Sequence, residues 1–240
     1  MIKFIKKVFI LGIVLLIAIF GVFVYEGYNL YEEAIQETSI KVKIEEIKKE
    51  KVNYIKYEDL PENYINAIVA VEDRRFFEHN GVDLISIARA IVKDIQTMSL
   101  VEGGSTITQQ LAKNTYFTQR KELTRKIAEI FMAFEYEKAC TKEEILELYV
   151  NTIYFGDGYY CVYDAAHGYF DKNPQEMNLY ESTLLAGIPN APSVYSPTKN
   201  PELAKQRQAQ VLNKMVKYKY LTQEKANELL NIDILENVKK

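Results

Sequence analysis

The chain has 240 residues, 48% of them hydrophobic, which is ample for a buried core in one or two domains. Thirty basic and 33 acidic residues leave a formal net charge of -3, so there is no electrostatic case for a nucleic-acid partner. The two histidines (His79, His167) and two cysteines (Cys140, Cys161) are not at zinc-ligand spacing, which argues against a metal held by His or Cys. The cysteines could pair outside the cytoplasm or stay free; free thiols are the preferred reading.

Lys3, Lys6 and Lys7 precede an uncharged run of eighteen residues from Val8 to Tyr25. At about 1.5 Å per residue the run spans roughly 27 Å, close to the hydrocarbon thickness of a bilayer. A cleavable signal peptide is the competing reading, but no small-x-small site follows, so an uncleaved single-pass anchor over 1–25 is expected. Lysines before the run and Glu26, Glu32 and Glu33 after it put the N-terminus in the cytoplasm and the rest outside. Residues 26–57 are rich in Lys and Glu and read as a solvated stalk, helical in part.

Residues 58–240 read as one helical domain. Pro61 suits the first turn of a helix, followed by Ile65, Ile68 and Val69 at i, i+3, i+4 spacing. The next position of that stripe is Glu72. Either the carboxylate faces the core, where burial makes it a candidate general base, or the helix ends near 71 and Glu72 caps an exposed turn. Residues 84–98 repeat apolar side chains at helical spacing and form either a core helix or a face that dips into the membrane surface. Thr106 with Gln109, and Thr141 with Glu144, are capping boxes; Asn173–Pro174 and Asn200–Pro201 are N-cap and N1 pairs, and Gly187 is a candidate C-cap. Strand-like alternation is scarce, so the domain is expected to be mostly α.

Two further stretches could carry chemistry. The glycine turn before Ser105 feeds a helix whose free N–H groups suit phosphate, though a plain loop-to-helix junction has the same pattern. Arg125 and Lys126 lie four and three residues before Glu129, and Lys113, Arg120 and Lys121 are near in sequence. The group is either a surface ion pair or an anion-binding cluster with a carboxylate inside it.

Together these stretches resemble the peptidoglycan glycosyltransferases. EDRRFFEHNGVD at 72–83 is similar to the family's E-D-x-x-F-x-x-H-x-G, and EGGSTITQQLAKN at 102–114 to its G-G-S-T-I-T-Q-Q-x-x-K-N. RKIAE at 125–129 resembles R-K-x-x-E, KEEILELYVNTIYFG at 142–156 the fourth motif, and LLAGIPNAPSVYSP at 184–197 the closing one. The resemblance covers about residues 58–230. It implies a lysozyme-like helical fold of two lobes. It also implies polymerisation of lipid II into β-1,4-linked glycan with release of undecaprenyl pyrophosphate, by inversion of the α-linked donor.

On that resemblance Glu72 and Glu129 are the catalytic carboxylates, Glu72 as base. Substrate contacts fall to Asp73, Phe76, His79, Ser105, Thr106, Gln109, Gln110, Lys113, Asn114, Arg120, Lys121, Arg125 and Lys126. Glu129 is a candidate ligand for a divalent cation (Mg or Mn), and no organic cofactor is implied. Expected partners are lipid II, the growing lipid-linked strand, the cell membrane and other cell-wall synthesis and division proteins. Two departures stand out: Lys121 sits where the family usually has arginine, and Cys161 where it usually has glycine. No Ser-x-x-Lys motif follows residue 230, which implies a glycosyltransferase without a transpeptidase. The rival readings are a lysozyme-like glycan hydrolase and a non-catalytic anchored scaffold.

Overall fold

The computed structural model describes residues 1–97, 104–117 and 123–239. Among them there are twelve α-helices, three short 3-10 turns and no strand, so the mostly-α expectation holds. In chain order the helices are α1 (Ile2–Glu37), α2 (Ile40–Glu50), α3 (Glu62–Glu72), α4 (Leu84–Thr97), α5 (Ile107–Tyr116) and α6 (Leu123–Ala139). Then follow α7 (Lys142–Thr152), α8 (Val162–Phe170), α9 (Leu179–Gly187), α10 (Pro201–Lys217), α11 (Gln223–Leu230) and α12 (Ile234–Asn237).

Among the described residues α1 is the one helix long and apolar enough to cross a membrane, and its uncharged part projects from the rest of the fold. Beyond Tyr25 it runs on without a break to Glu37 and packs along α6. Residues 26–57 are therefore not a free stalk. Ile40 and Ile47 of α2 are core residues, and Ile44 packs against that core. Ile55 is locked by Asn151, whose Oδ1 accepts from Ile55 N at 3.0 Å while its Nδ2 donates to Ile55 O at 2.7 Å. The physical reason is a stripe at i, i+4, i+7 inside a Lys/Glu-rich composition; composition masked the period.

The core joins two packing groups. In one, α5 lies against α6 and α7; in the other, α3 lies against α9 and α10. Tyr64, Phe76, Ile107, Leu111, Met132, Tyr136, Ile145, Leu146 and Tyr149 are fully buried. Both predicted capping boxes form with both reciprocal bonds, opening α5 at Thr106 and α7 at Thr141. Pro61 stands one place earlier than expected, at the N-cap of α3. Asn173–Pro174 opens only a 3-10 turn; α9 is capped instead by an Asn178–Glu181 box. Gly187 does not cap α9, because its φ of -78 lets the chain run on into a 3-10 turn at Ile188–Asn190. Cys140 and Cys161 are free thiols, each pushed up to about 11 by burial, and Cys161 Sγ caps α8 by accepting from Asp164 N.

Candidate active site

The two packing groups leave a cleft of about 650 Å³ between them, lined by Glu72, Asp73, Ser105, Thr106, Gln110, Lys113, Arg207 and Lys214, among others. Six of the expected site residues therefore converge from α3 and α5 on one space.

Glu72 is the last residue of α3 and its side chain is 8% exposed, so the helix ends there and the carboxylate is nevertheless buried. Both oxygens are held. Gln110 Nε2 donates to Oε2 at 2.8 Å, and Arg207 Nη2 donates to Oε1 at 3.3 Å. The Gln110 amide is oriented by Tyr149, whose hydroxyl donates to Gln110 Oε1 at 3.3 Å. Burial, with the Glu72 charge nearby, pushes the Tyr149 phenol far above its ordinary range, so it stays a donor and turns the amide N–H toward Glu72. Arg207 is itself braced by Gly187 O at 3.2 Å, Gln210 Oε1 at 2.9 Å and the face of Tyr195 at 5.7 Å. Gly187 permits this, because a Cβ there would lie 3.0 Å from Arg207 Cγ. Lys214 Nζ donates to Val71 O at 3.1 Å, placing a cation at the C-terminal end of α3.

Asp73 ties the first motif to the second. Its carboxylate accepts from Ile107 N at 3.0 Å, at the N-terminus of α5, and approaches His79 Nε2 at 2.9 Å. Thr106 Oγ1 donates to Gly81 O at 2.6 Å, a second tie between the same segments. Phe76 is wholly buried, with Lys142 Nζ 4.6 Å above its ring, and His79 is also buried; neither lines the cleft. Gln109 is 1% exposed, its Oε1 accepting from Thr106 N at 3.0 Å in the capping box, so it shapes the start of α5 without reaching the cleft. Asn114 is half-buried and does not line the cleft either.

The third motif forms a buried charge cluster. Glu129 is 1% exposed; Arg125 Nη1 donates to Oε1, and Lys126 Nζ donates to Oε2 at 2.8 Å. Lys126 also donates to Ser105 Oγ at 2.6 Å, which joins the cluster to the cleft wall. Lys113 stands within electrostatic reach of both Glu129 and Glu72. Burial lowers its pKa below the usual lysine range, and Arg125 and Lys126 add to that against the two carboxylates. Three cations thus face one buried carboxylate, an arrangement that suits an anion. Both Glu129 oxygens are engaged by these cations, and no group of three or more His, Cys, Asp or Glu side chains gathers among the described residues. Arg120 and Lys121 lie outside the described residues.

Sequence reasoning overlooked Arg207, Lys214 and Tyr149. Arg207 had a detectable signature: with Ala204, Gln208, Val211, Leu212 and Met215 it sits on the buried face of α10, a charge on an apolar stripe like Glu72.

Residues 40–216 match the family described as Transglycosylase. Over 181 residues the chain is 44% identical to penicillin-binding protein 1A of Neisseria gonorrhoeae, covering 75% of this chain and 23% of that protein. Over 178 residues it is 45% identical to penicillin-binding protein 1A of Aquifex aeolicus, covering 74% and 24%. The chain therefore spans about a quarter of the length of these relatives. Among solved structures, penicillin-binding protein 1A from Haemophilus influenzae matches 74% of this chain and 17% of its own at 25% identity, with a TM-score of 0.45.

Proposed function

The chain belongs to the transglycosylase family, and from that premise we propose that it polymerises lipid II into β-1,4-linked glycan, releasing undecaprenyl pyrophosphate. Glu72 is the general base. Anchored by Gln110 and Arg207, its carboxylate keeps lone pairs free for the cleft and takes the proton from the acceptor sugar 4-hydroxyl. That oxygen attacks the anomeric carbon of the donor from the face opposite the leaving group, so an α-linkage becomes β. The C1–O bond breaks and its electron pair leaves on the lipid pyrophosphate.

A pyrophosphate leaves as an anion, so charge stabilisation matters more than proton donation. Lys113, Arg125 and Lys126 supply it, with Ser105 holding Lys126 toward the cleft. Glu129 touches no substrate in this account; it is a positioning residue that fixes the two cations. Asp73 and His79 are positioning residues too, fastening α5 so that Gln110 and Lys113 meet Glu72.

The observation that carries this reading is the pair of cations bonded to the second carboxylate. A lysozyme-like hydrolase needs a protonated acid beside its leaving oxygen. Glu129 instead has one oxygen bonded to the Arg125 guanidinium and the other to the Lys126 ammonium, so neither oxygen is free to face a leaving group. The cations suit a leaving group that is already charged. The experiment is incubation of the full chain in detergent with lipid II or with finished glycan strands. Polymer from lipid II and unchanged strands are expected. Shortened strands without polymer would favour the hydrolase.

The uncharged run of α1 supports attachment to the cell membrane. The flanking lysines support an N-terminus in the cytoplasm and a catalytic domain outside.

A further inference from the structure

We infer that Gly27, on the membrane helix, is a positioning residue for the anion-binding end of the cleft: its contact with α6 fixes Arg125 and Lys126 at the height of lipid headgroups. This rests on the reading of a lipid-linked pyrophosphate as leaving group.

Gly27 is buried, and a Cβ at that position would meet Ile127 Cβ and Cγ2 at 2.7 Å and Thr124 O at 2.8 Å. These are roughly 0.7 Å short of ordinary contact, and one of them is backbone that cannot rotate away. Gly12 and Gly21, on the same helix, have nothing within 4 Å. The close approach is therefore local to residue 27.

The contacts above it rise in step along both helices. Thr124 Oγ1 donates to Glu26, Tyr28 and Tyr31 pack on Phe131 at 5.3 and 5.7 Å, and Tyr31 reaches Glu135. So α6 runs parallel to α1, with its first turn nearest the membrane. The uncharged run ends at Tyr25, two residues or about 3 Å along the axis before Gly27. Arg125 and Lys126 flank that contact in the same first turn of α6, where the positive end of the helix dipole adds to their charge. An anion on a membrane-embedded lipid lies at this level, and the unbroken helix leaves no hinge between Tyr25 and α6 to change it.

The test uses the full chain with lipid II in liposomes. Displacement of about 1 Å far from the chemistry costs up to a hundredfold. Gly27→Ala is expected to lower kcat/KM ten- to a hundredfold, chiefly through KM, and to raise the inhibition constant for inorganic pyrophosphate in parallel. A smaller folded fraction would lower apparent kcat and leave both other constants alone. Gly21→Ala stays within twofold of wild type. Inserting seven helix-forming polar residues after Tyr25 raises α6 by about 10 Å on nearly the same face. That variant should lose activity on liposomes and keep it on detergent-dispersed lipid II. Unchanged KM and pyrophosphate inhibition in Gly27→Ala, or full liposome activity of the insertion variant, overturns the inference while wild-type polymerisation stands. A wild type inert toward lipid II overturns both.

Discussion

Glu72 and Arg207 form a buried pair whose members lie 135 residues apart, and each is the odd charge on its own helix stripe. Arg207→Ala leaves Glu72 buried without its bonded cation. Removing one partner of such a pair costs on the order of 3 kcal/mol. Thermal unfolding should show a large loss in Arg207→Ala, a smaller one in Arg207→Ala/Glu72→Gln, and hence strong coupling; additive effects would contradict the pairing. Lys113 gives a pH test. Its pKa is lowered, so its charge is lost at a lower pH than an ordinary lysine's, and anion binding goes with it. The alkaline limb of kcat/KM, which reports the free enzyme, should fall earlier than the usual lysine range, and Lys113→Arg should move it upward. An identical limb in both proteins would remove Lys113 from that role. The sequence made Glu72 legible through spacing, but whether its helix ended there and whether its carboxylate was buried looked like alternatives. Both are true, because Gln110 and Arg207 reach in from α5 and α10, and no local pattern encodes partners at that separation.

At the scale of elements, capping chemistry was the most readable feature. Thr106–Gln109 and Thr141–Glu144 specify their helix starts through bonds made within four residues, so local sequence suffices. Gly187 was misread for the complementary reason: it is required by the approach of Arg207 and Val211 from another helix, which nothing nearby in sequence announces. The stretch at 40–57 was misread because charge dominates its composition, while Ile40, Ile44 and Ile47 still make a core face. Ile47→Ala tests this: as a buried residue it should destabilise the fold by about 2–4 kcal/mol in denaturant unfolding. A solvated linker predicts a change near zero.

For the whole molecule, the anchor, α6 and the cleft form one continuous structure. α1 holds α6, α6 holds the cations, and Ser105 passes their position to the cleft that contains Glu72. The lysines at 3, 6 and 7 support an N-terminus in the cytoplasm, which a reporter fusion tests. A C-terminal reporter that works only in the cytoplasm should be silent and one that works only outside should be active; the reverse result would invert the topology. The family was legible because five motifs stand in order. The way those motifs meet was not, because Asp73 to Ile107 and Lys126 to Ser105 are contacts of the folded state.

The central claim is that Glu72 takes the proton in glycan polymerisation. Lipid II polymerisation by wild type and Glu72→Gln, with unfolding midpoints measured alongside, tests it most directly. Polymer from wild type is expected, with a loss of turnover on the order of a hundred- to ten-thousandfold in Glu72→Gln and a folded variant, since glutamine fills the same volume. A folded Glu72→Gln that polymerises lipid II at the wild-type rate would contradict it.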